Sequence, residues 1–490
     1  MRRFILLSTI ILLILASKNT CFGKTYYVAK NGNDSRTATQ AQNISTPKLT
    51  IASGLTCLSA GDTLYIRSGT YNETLNQNQI TIPSGISWSK PVTIAGYPGE
   101  SVTISPNSGA DDVVRLMGPA GGAKYIIFDN LLLDGTNVSD VVMKITYTGS
   151  DTTYTANHIQ VKNCEIFNSP TSGIYVGHNS TGNKFINLKV HNNGTTDFHH
   201  GLYITGANNL VDGCNIYHNA GWGVHVYSDT GIRVDSNVVC NNSIHENAYV
   251  GTRGCGIILS SGKGNIAYNN LIWNNNGGVE VDYGAVNADV YNNTIYANNQ
   301  GTAAYAGIQV GQGSSGAKIE NNICWQNSAG NVSNAGTGTT LTSNLTTTDP
   351  LFVDTSISNF YLQSKSPAIN AGVNLAPTVT DYYDGTLRVQ SSKYVIGALG
   401  STVTTNDETI DSNLSIKMFP NPSTGQFTVE TGTDQTVTLL IVNVAGITVY
   451  QNLVTNQKID VDLSGRPKGI YICRLQSGNK IIGTGKIILH

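Results

Sequence analysis

Three short stretches, GLYI, GVHV and GVEV, hold Tyr203, His225 and Glu280 at the same place, and two residues beyond the last two stand Tyr227 and Asp282. Phenol, imidazole and carboxylate groups serve as general acids and bases, and carboxylates also hold hard cations. The sister stretches GIYV, GIIL and GIQV put Tyr175, Ile258 and Gln309 at the same position. In an extended strand, residues i and i+2 share a face. If the Ile, Leu and Val residues point inward, the tyrosines, His225, Glu280 and Asp282 point outward together. Two polar stretches, GTTDFHH (194–200) and SIHENAYVGTRG (243–254), each precede one of these strands. They bring Asp197, His199, His200, His245, Glu246, Tyr249 and Arg253 to one edge of the same face.

The elements that must carry these groups repeat along the chain. The glycines that open the stretches are Gly173, Gly201, Gly223, Gly256, Gly278 and Gly307, at steps of 28, 22, 33, 22 and 29 residues. A floor near 22 with longer excursions describes a minimal coil carrying loops of variable length. A second element keeps phase: KNCEIFN, NLKVHNN, GCNIYHN, SNVVCNN, NNLIWNN, NNTIYANN and NNICWQN. With the short alternating run before each, every repeat holds three short strands and no 3.6-residue period. Parallel strands one coil apart, about 4.8 Å, stack into a solenoid filled by the apolar positions. The expected fold is all-β, a right-handed parallel β-helix of three-strand coils. Asn237, Asn270, Asn293 and Asn322 read as one internal ladder of amides. Phe167, His191, Tyr217, Trp273, Tyr296 and Trp325 read as a stacked column, and His218 as a turn residue.

Composition narrows the class. The 490 residues include 52 Gly, 12% charged residues and a formal net charge of -2, which leaves no electrostatic footprint for nucleic acid. MRRFILLSTIILLILASKN reads as an export signal over 1–23. No later run reaches the roughly 20 apolar residues of a membrane span, so a soluble mature chain is expected. Eight cysteines without a CxxC argue against a cysteine zinc site, and seven after export make a poor disulfide framework, with Cys240 and Cys255 one pair that can form.

TYYVAKNGNDS (25–35), STPKLTIASGL and AGDTLYIRSGTYNE (60–73) resemble the opening of pectate-lyase-like β-helix proteins, which implies an N-terminal cap region over 24–75. DPLFVD, LQSKSPAINAG, DGTLR and IGAL resemble the closing segment of such proteins, over 349–400. After a linker at 401–415, MFPNPSTGQFTVE, VTLLIVNVAGITVY and PKGIYI resemble a type IX secretion sorting domain. That resemblance implies a small antiparallel β-sandwich over 416–490, a secretion machine as partner and a secreted or surface-attached protein; a monomer is expected.

For residues 24–400 the expected partner is an extracellular polysaccharide, and three chemistries compete. A lyase needs a base, for which His225 or Arg253 stands ready, and a proton donor, Tyr203 or Tyr227. Glu280 and Asp282, with Asp197 as an outlier, can hold Ca2+, while Tyr175, His199, His200, His245 and Tyr249 contact the sugar. The family typically sets a Lys or Arg base on the strand face near acidic residues, and this sequence reads as having no Lys in the outward columns. A glycoside hydrolase would use Glu280 and Asp282, with Cα atoms about 6.6 Å apart. A surface protein would bind glycan on the same strip without reaction.

Overall fold

The computed structural model describes residues 23–118, 122–147, 155–228, 234–298, 305–388, 393–401, 416–443, 448–477 and 480–490. The export signal, apart from Gly23, and the linker, apart from Ser401, lie outside the described residues.

Each coil gives one strand to each of three parallel sheets, as in Leu210–Asp212 (sheet 1), Asn215–Tyr217 (sheet 2) and Val224–Val226 (sheet 3). Among the described residues sheet 1 has twelve strands, and sheets 2 and 3 have ten each, all in register order. The result is a right-handed parallel β-helix followed by a small antiparallel unit. Alternation decides what is inside: Val211, Ile216, Val224 and Val226 are fully buried, and one core runs from Tyr26 to Cys324. Thr25–Val28 is already the first rung of sheet 1, pairing with Thr63–Ile66. The short helix Ile51–Leu55, capped by the Thr50 side chain, buries Ile51 and Leu55 against it.

The corners carry three asparagine ladders rather than one. Asn183, Asn209, Asn237 and Asn265 form the first. Asn242, Asn270, Asn293, Asn322 and Asn344 form the second. Asn193, Asn219, Asn247, Asn275, Asn298 and Asn327 form the third. Asn237 therefore leaves the column expected for it. SNVVCNN and the adjacent NNSIHEN both fit the repeat pattern, and it is NNSIHEN that supplies the sheet 2 strand Ser243–His245. The left-handed residue is the one before each third-ladder amide, including Asn192, His218 and Glu246 at φ of 55°, 51° and 56°. His218 is a turn residue as expected.

The segment 349–401 closes the solenoid from the side. Phe352 and Phe360 pack on Trp273 and Tyr296 of sheet 2. Arg388 is 2% exposed and donates to the carbonyls of Asp381, Val395 and Gly397 and to Asn269 Oδ1. Burial pulls its pKa down to about 10.

The C-terminal unit is separate and has its own core. Its three-stranded antiparallel sheet holds Lys417–Phe419, Gln426–Glu430 and Lys458–Asp462. A four-stranded one holds Val437–Asn443, Thr448–Val454, Gly469–Ser477 and Lys480–Leu489. All seven described cysteines are free thiols, Cys240 and Cys255 included.

The ladders make a direct prediction. Asn275 Oδ1 accepts from both nitrogens of Asn247, and its Nδ2 donates to Ile244 O and Asn298 Oδ1. Asn275→Ala leaves several of these buried groups unpaired and should cost about 3 kcal/mol, read as a lower denaturant midpoint. Exposed Ser333→Ala should stay within about 0.5 kcal/mol of the parent.

Candidate functional site

Register confirms the outward column of sheet 3. Tyr175, Tyr203, His225, Ile258, Glu280 and Gln309 pair rung by rung. It also extends the column toward the N-terminus through Lys144 and Arg115, so the expectation of no Lys there is corrected. Those strands, VRL and MKI, lack the opening glycine that flagged the others. Both cations are already paired, Arg115 with Asp111 and Asp112 and Lys144 with Asp140. Lys144 Nζ lies 5.7 Å from the centre of the Tyr175 ring.

Facing outward did not keep the central groups exposed. The residues before the opening glycines, His200, Trp222 and Cys255, lie against the column and cover it. His225 is 8% exposed, caged by Trp222 at 4.6 Å, Tyr203 at 4.9 Å, Tyr227 at 5.3 Å and edge-on His200 at 4.2 Å. Burial lowers its pKa to about 3. His200, 2% exposed, is pushed well below its usual value by burial and then by the His225 and His199 charges. Both imidazoles are neutral at ordinary pH, with Nδ1 atoms buried and without a hydrogen-bond partner. Burial thus argues against His225 as a base near neutral pH, and it leaves His200 behind the column with almost no exposed surface.

Glu280 is 3% exposed, close to the apolar cluster of Trp222, Cys255, Ile258 and Tyr305. Trp222 Nε1 donates to its Oε2 at 3.2 Å, and Cys255 Sγ lies 3.8 Å from the same oxygen. Burial raises the carboxyl to about 7, helped by the Asp282 charge and opposed by the Trp222 hydrogen bond. Asp282 sits over Gly311, where an added Cβ would fall 2.0 Å from its Oδ1.

Asp197 does not join this pair. It lies against Gly251, where a Cβ would fall 2.6 Å from Oδ2. Among the described residues no three His, Cys, Asp or Glu side chains group to hold a metal ion. Thiol, indole and aliphatic neighbours around Glu280 do not suit Ca2+, which takes oxygen ligands. The expected calcium set is thus not assembled.

His245 also leaves the predicted edge. Because 243–245 is a strand, its ring stacks between Tyr217 and Trp273 on sheet 2, and Nδ1 lies 3.4 Å from Glu246 Oε2.

The edge itself is built by the two polar stretches. Gly221 admits them: a Cβ there would meet His200 Nδ1 at 2.6 Å and the Asp197 and His199 carbonyls at 2.7 Å. His199 turns inward to its own loop, with Nδ1 accepting from Thr195 N at 3.1 Å. Phe198, Tyr249 and Tyr283 are 63%, 50% and 58% exposed. The Arg253 guanidinium rests 5.0 Å over the Phe198 ring and forms no ion pair among the described residues. Sequence reasoning passed over Phe198, Trp222, Cys255, Tyr283 and Tyr305. The bulky residue within GWG was the available signal for Trp222.

The family described as right-handed β-helix region matches residues 99–242 and 179–346. This chain belongs to it. Residues 417–490 of this β-helix protein match a secretion system C-terminal sorting domain, which makes it a secreted or cell-surface protein. A crystal structure of pectate lyase Pel9A is 16% identical with a TM-score of 0.56, covering 78% of this chain and 97% of that one. A rhamnogalacturonan lyase is 15% identical with a TM-score of 0.50, covering 68% and 91%. These likenesses show the β-helix fold. No curated protein matches the sequence. Among the described residues no helix is long and apolar enough to cross a membrane.

The two shifted groups act on stability with opposite signs. Glu280, raised from 4.5 to about 7, contributes stability that is present below pH 4.5 and lost as pH rises through 7. His225, lowered from 6.5 to about 3, contributes stability present above 6.5 and lost as pH falls through 3. The other shifted groups still titrate in the unfolded chain near neutral pH, so the Glu280 part is read as wild type minus Glu280→Gln. That difference in unfolding free energy should fall by about 1 kcal/mol between about pH 6.5 and about pH 8.5 in denaturant titrations.

Proposed function

We propose that this protein is an extracellular polysaccharide lyase that cleaves a uronate-containing glycan by β-elimination along sheet 3. The observation that carries the reading is Arg253, a guanidinium with no ion pair to a carboxylate among the described residues, held on Phe198 beside exposed Tyr249 and Tyr283. Aromatic faces pack on sugar rings, and a planar guanidinium matches a carboxylate through two parallel hydrogen bonds. The shared fold with proteins named pectate lyase and rhamnogalacturonan lyase adds support.

In the reaction a base takes the proton on the carbon α to the uronate carboxylate. Those electrons form the carbon–carbon double bond, the bond to the 4-oxygen breaks, and that oxygen receives a proton. Arg253 neutralises the carboxylate and so stabilises the enolate-like intermediate. Tyr203 and Tyr227 are the hydroxyls placed to move protons, their rings fixed on neutral His225. Tyr175 carries the strip one rung further.

A second reading has a specific observation behind it. Glu280, raised to about 7 by burial, stands two residues from Asp282, and a carboxyl kept protonated near neutrality beside a second carboxyl is the pattern of the acid in glycoside hydrolysis.

The test is a panel of pectate, alginate and glycosaminoglycans, following the ultraviolet absorbance of unsaturated uronate. Absorbance should rise, and Arg253→Ala should lower kcat/KM about 100-fold, equivalent to about 2.7 kcal/mol. Tyr203→Phe or Tyr227→Phe should remove most of the remaining rate. New reducing ends without absorbance, abolished by Glu280→Gln, would transfer the assignment to hydrolysis. Binding with neither product would make the strip a glycan-binding surface.

A further inference from the structure

The Trp222 indole ties three coils together. It stacks on His225 in its own coil, packs against Ile258 in the next, and donates to Glu280 in the one after. Glu280 is three rungs from Tyr203, about 14 Å, too far to touch a sugar bound there. Trp222 is 6% exposed, so its N–H has little water to fall back on, and Glu280 is its one acceptor among the described residues. Gly277 makes the enclosure possible: a Cβ there would meet Tyr305 Cβ at 2.5 Å and Cys255 Sγ at 2.7 Å.

We propose that Glu280 is a positioning residue, which through the Trp222 indole fixes the Tyr203–His225–Tyr227 stack on which the glycan lies. The inference deepens the reading of sheet 3 as the glycan face and rests on it for its binding consequence. The titratable groups facing Glu280 are Cys255, Asp282, Tyr283 and Tyr305, and the nearby cation, Arg253, acts on Tyr283 and Tyr305 without forming an ion pair with Glu280 among the described residues. As a neutral acid the side chain stays enclosed and holds the indole. Once ionised it has no ion-pair partner among the described residues, and the desolvation of the buried charge, which outweighs the indole hydrogen bond, turns it toward water so that Trp222 loses its acceptor. The face is ordered on the acid side of this change and loosened on the alkaline side.

The near-ultraviolet circular dichroism of the full chain, minus that of Trp222→Phe, isolates this indole. Between about pH 5 and about pH 9 the difference signal should pass through one transition near neutrality. Glu280→Gln, which keeps an acceptor and cannot ionise, should hold the acid form throughout. Glu280→Leu should show the loosened form throughout, and if it does not fold the glutamine variant still decides. A flat wild-type signal, or a transition that persists in Glu280→Gln, overturns the proposal. In affinity electrophoresis with polygalacturonate and alginate, Glu280→Gln should bind within about twofold of wild type and Glu280→Leu about tenfold more weakly. Wild-type affinity in Glu280→Leu also overturns it. If neither polymer binds the wild type, the uronate reading fails while the indole transition still judges the strut.

Discussion

Every strand inside the β-helix sheets has neighbours about 4.8 Å above and below it, and whatever side chain one coil buries at a corner must be matched by the next. An amide meets that demand because it donates and accepts at once. Asn247 donates to Asn275 Oδ1 on one side and accepts from Asn219 on the other, and also satisfies the Ile216 carbonyl. An aliphatic residue at such a corner would leave backbone groups buried without partners. The 33-residue step from Gly223 to Gly256 still lands all three strands in register. Coils can therefore lengthen outward, and that freedom is what admits the loops that build the site.

The site arises where one rule of the repeat is broken locally. Elsewhere the position before the opening glycine holds something small, such as Ser172, Gly277 or Ala306. In the central coils it holds His200, Trp222 and Cys255, and their bulk folds over the strand face. Groups that face outward by register are thereby taken from water. Desolvation disfavours the charged form of each, lowering His225 and raising Glu280. The same three side chains thus set the burial, the ring stack and the protonation of the site, and Gly221 and Gly277 supply the space they need.

Much of this was legible in the sequence, because period-2 alternation and glycine spacing report strand direction. The column from Tyr175 to Gln309 was readable in its pairing order, as was the stacked column of sheet 2. What could not be read was burial. Whether Trp222 lies over Ile258 or swings into solvent depends on Gly277 and Tyr305, which are far along the chain. The misplaced Asn237 and His245 share one cause, two adjacent stretches with the same local pattern, which only strand pairing tells apart. Lys144 and Arg115 were missed because their strands lack the glycine that marked the other rungs.

The two ring columns differ in a way that favours sheet 3 as the face proposed for a glycan. On sheet 2, Phe167, His191, Tyr217, His245 and Trp273 stack with neighbouring planes within 16° of each other. Each ring there spends its faces on the rings above and below, and Phe352 and Phe360 cover the later ones. Beside sheet 3 the exposed Tyr283 and Tyr249 come from separate loops and meet their neighbours at open angles, Tyr227 at 70° and His218 at 41°. Such rings keep a free face, and a sugar ring needs a free face to pack against. Arg253 lies among them and forms no ion pair among the described residues. A neutral polymer would leave that guanidinium idle, whereas the proposed acidic one would engage the rings and the charge together.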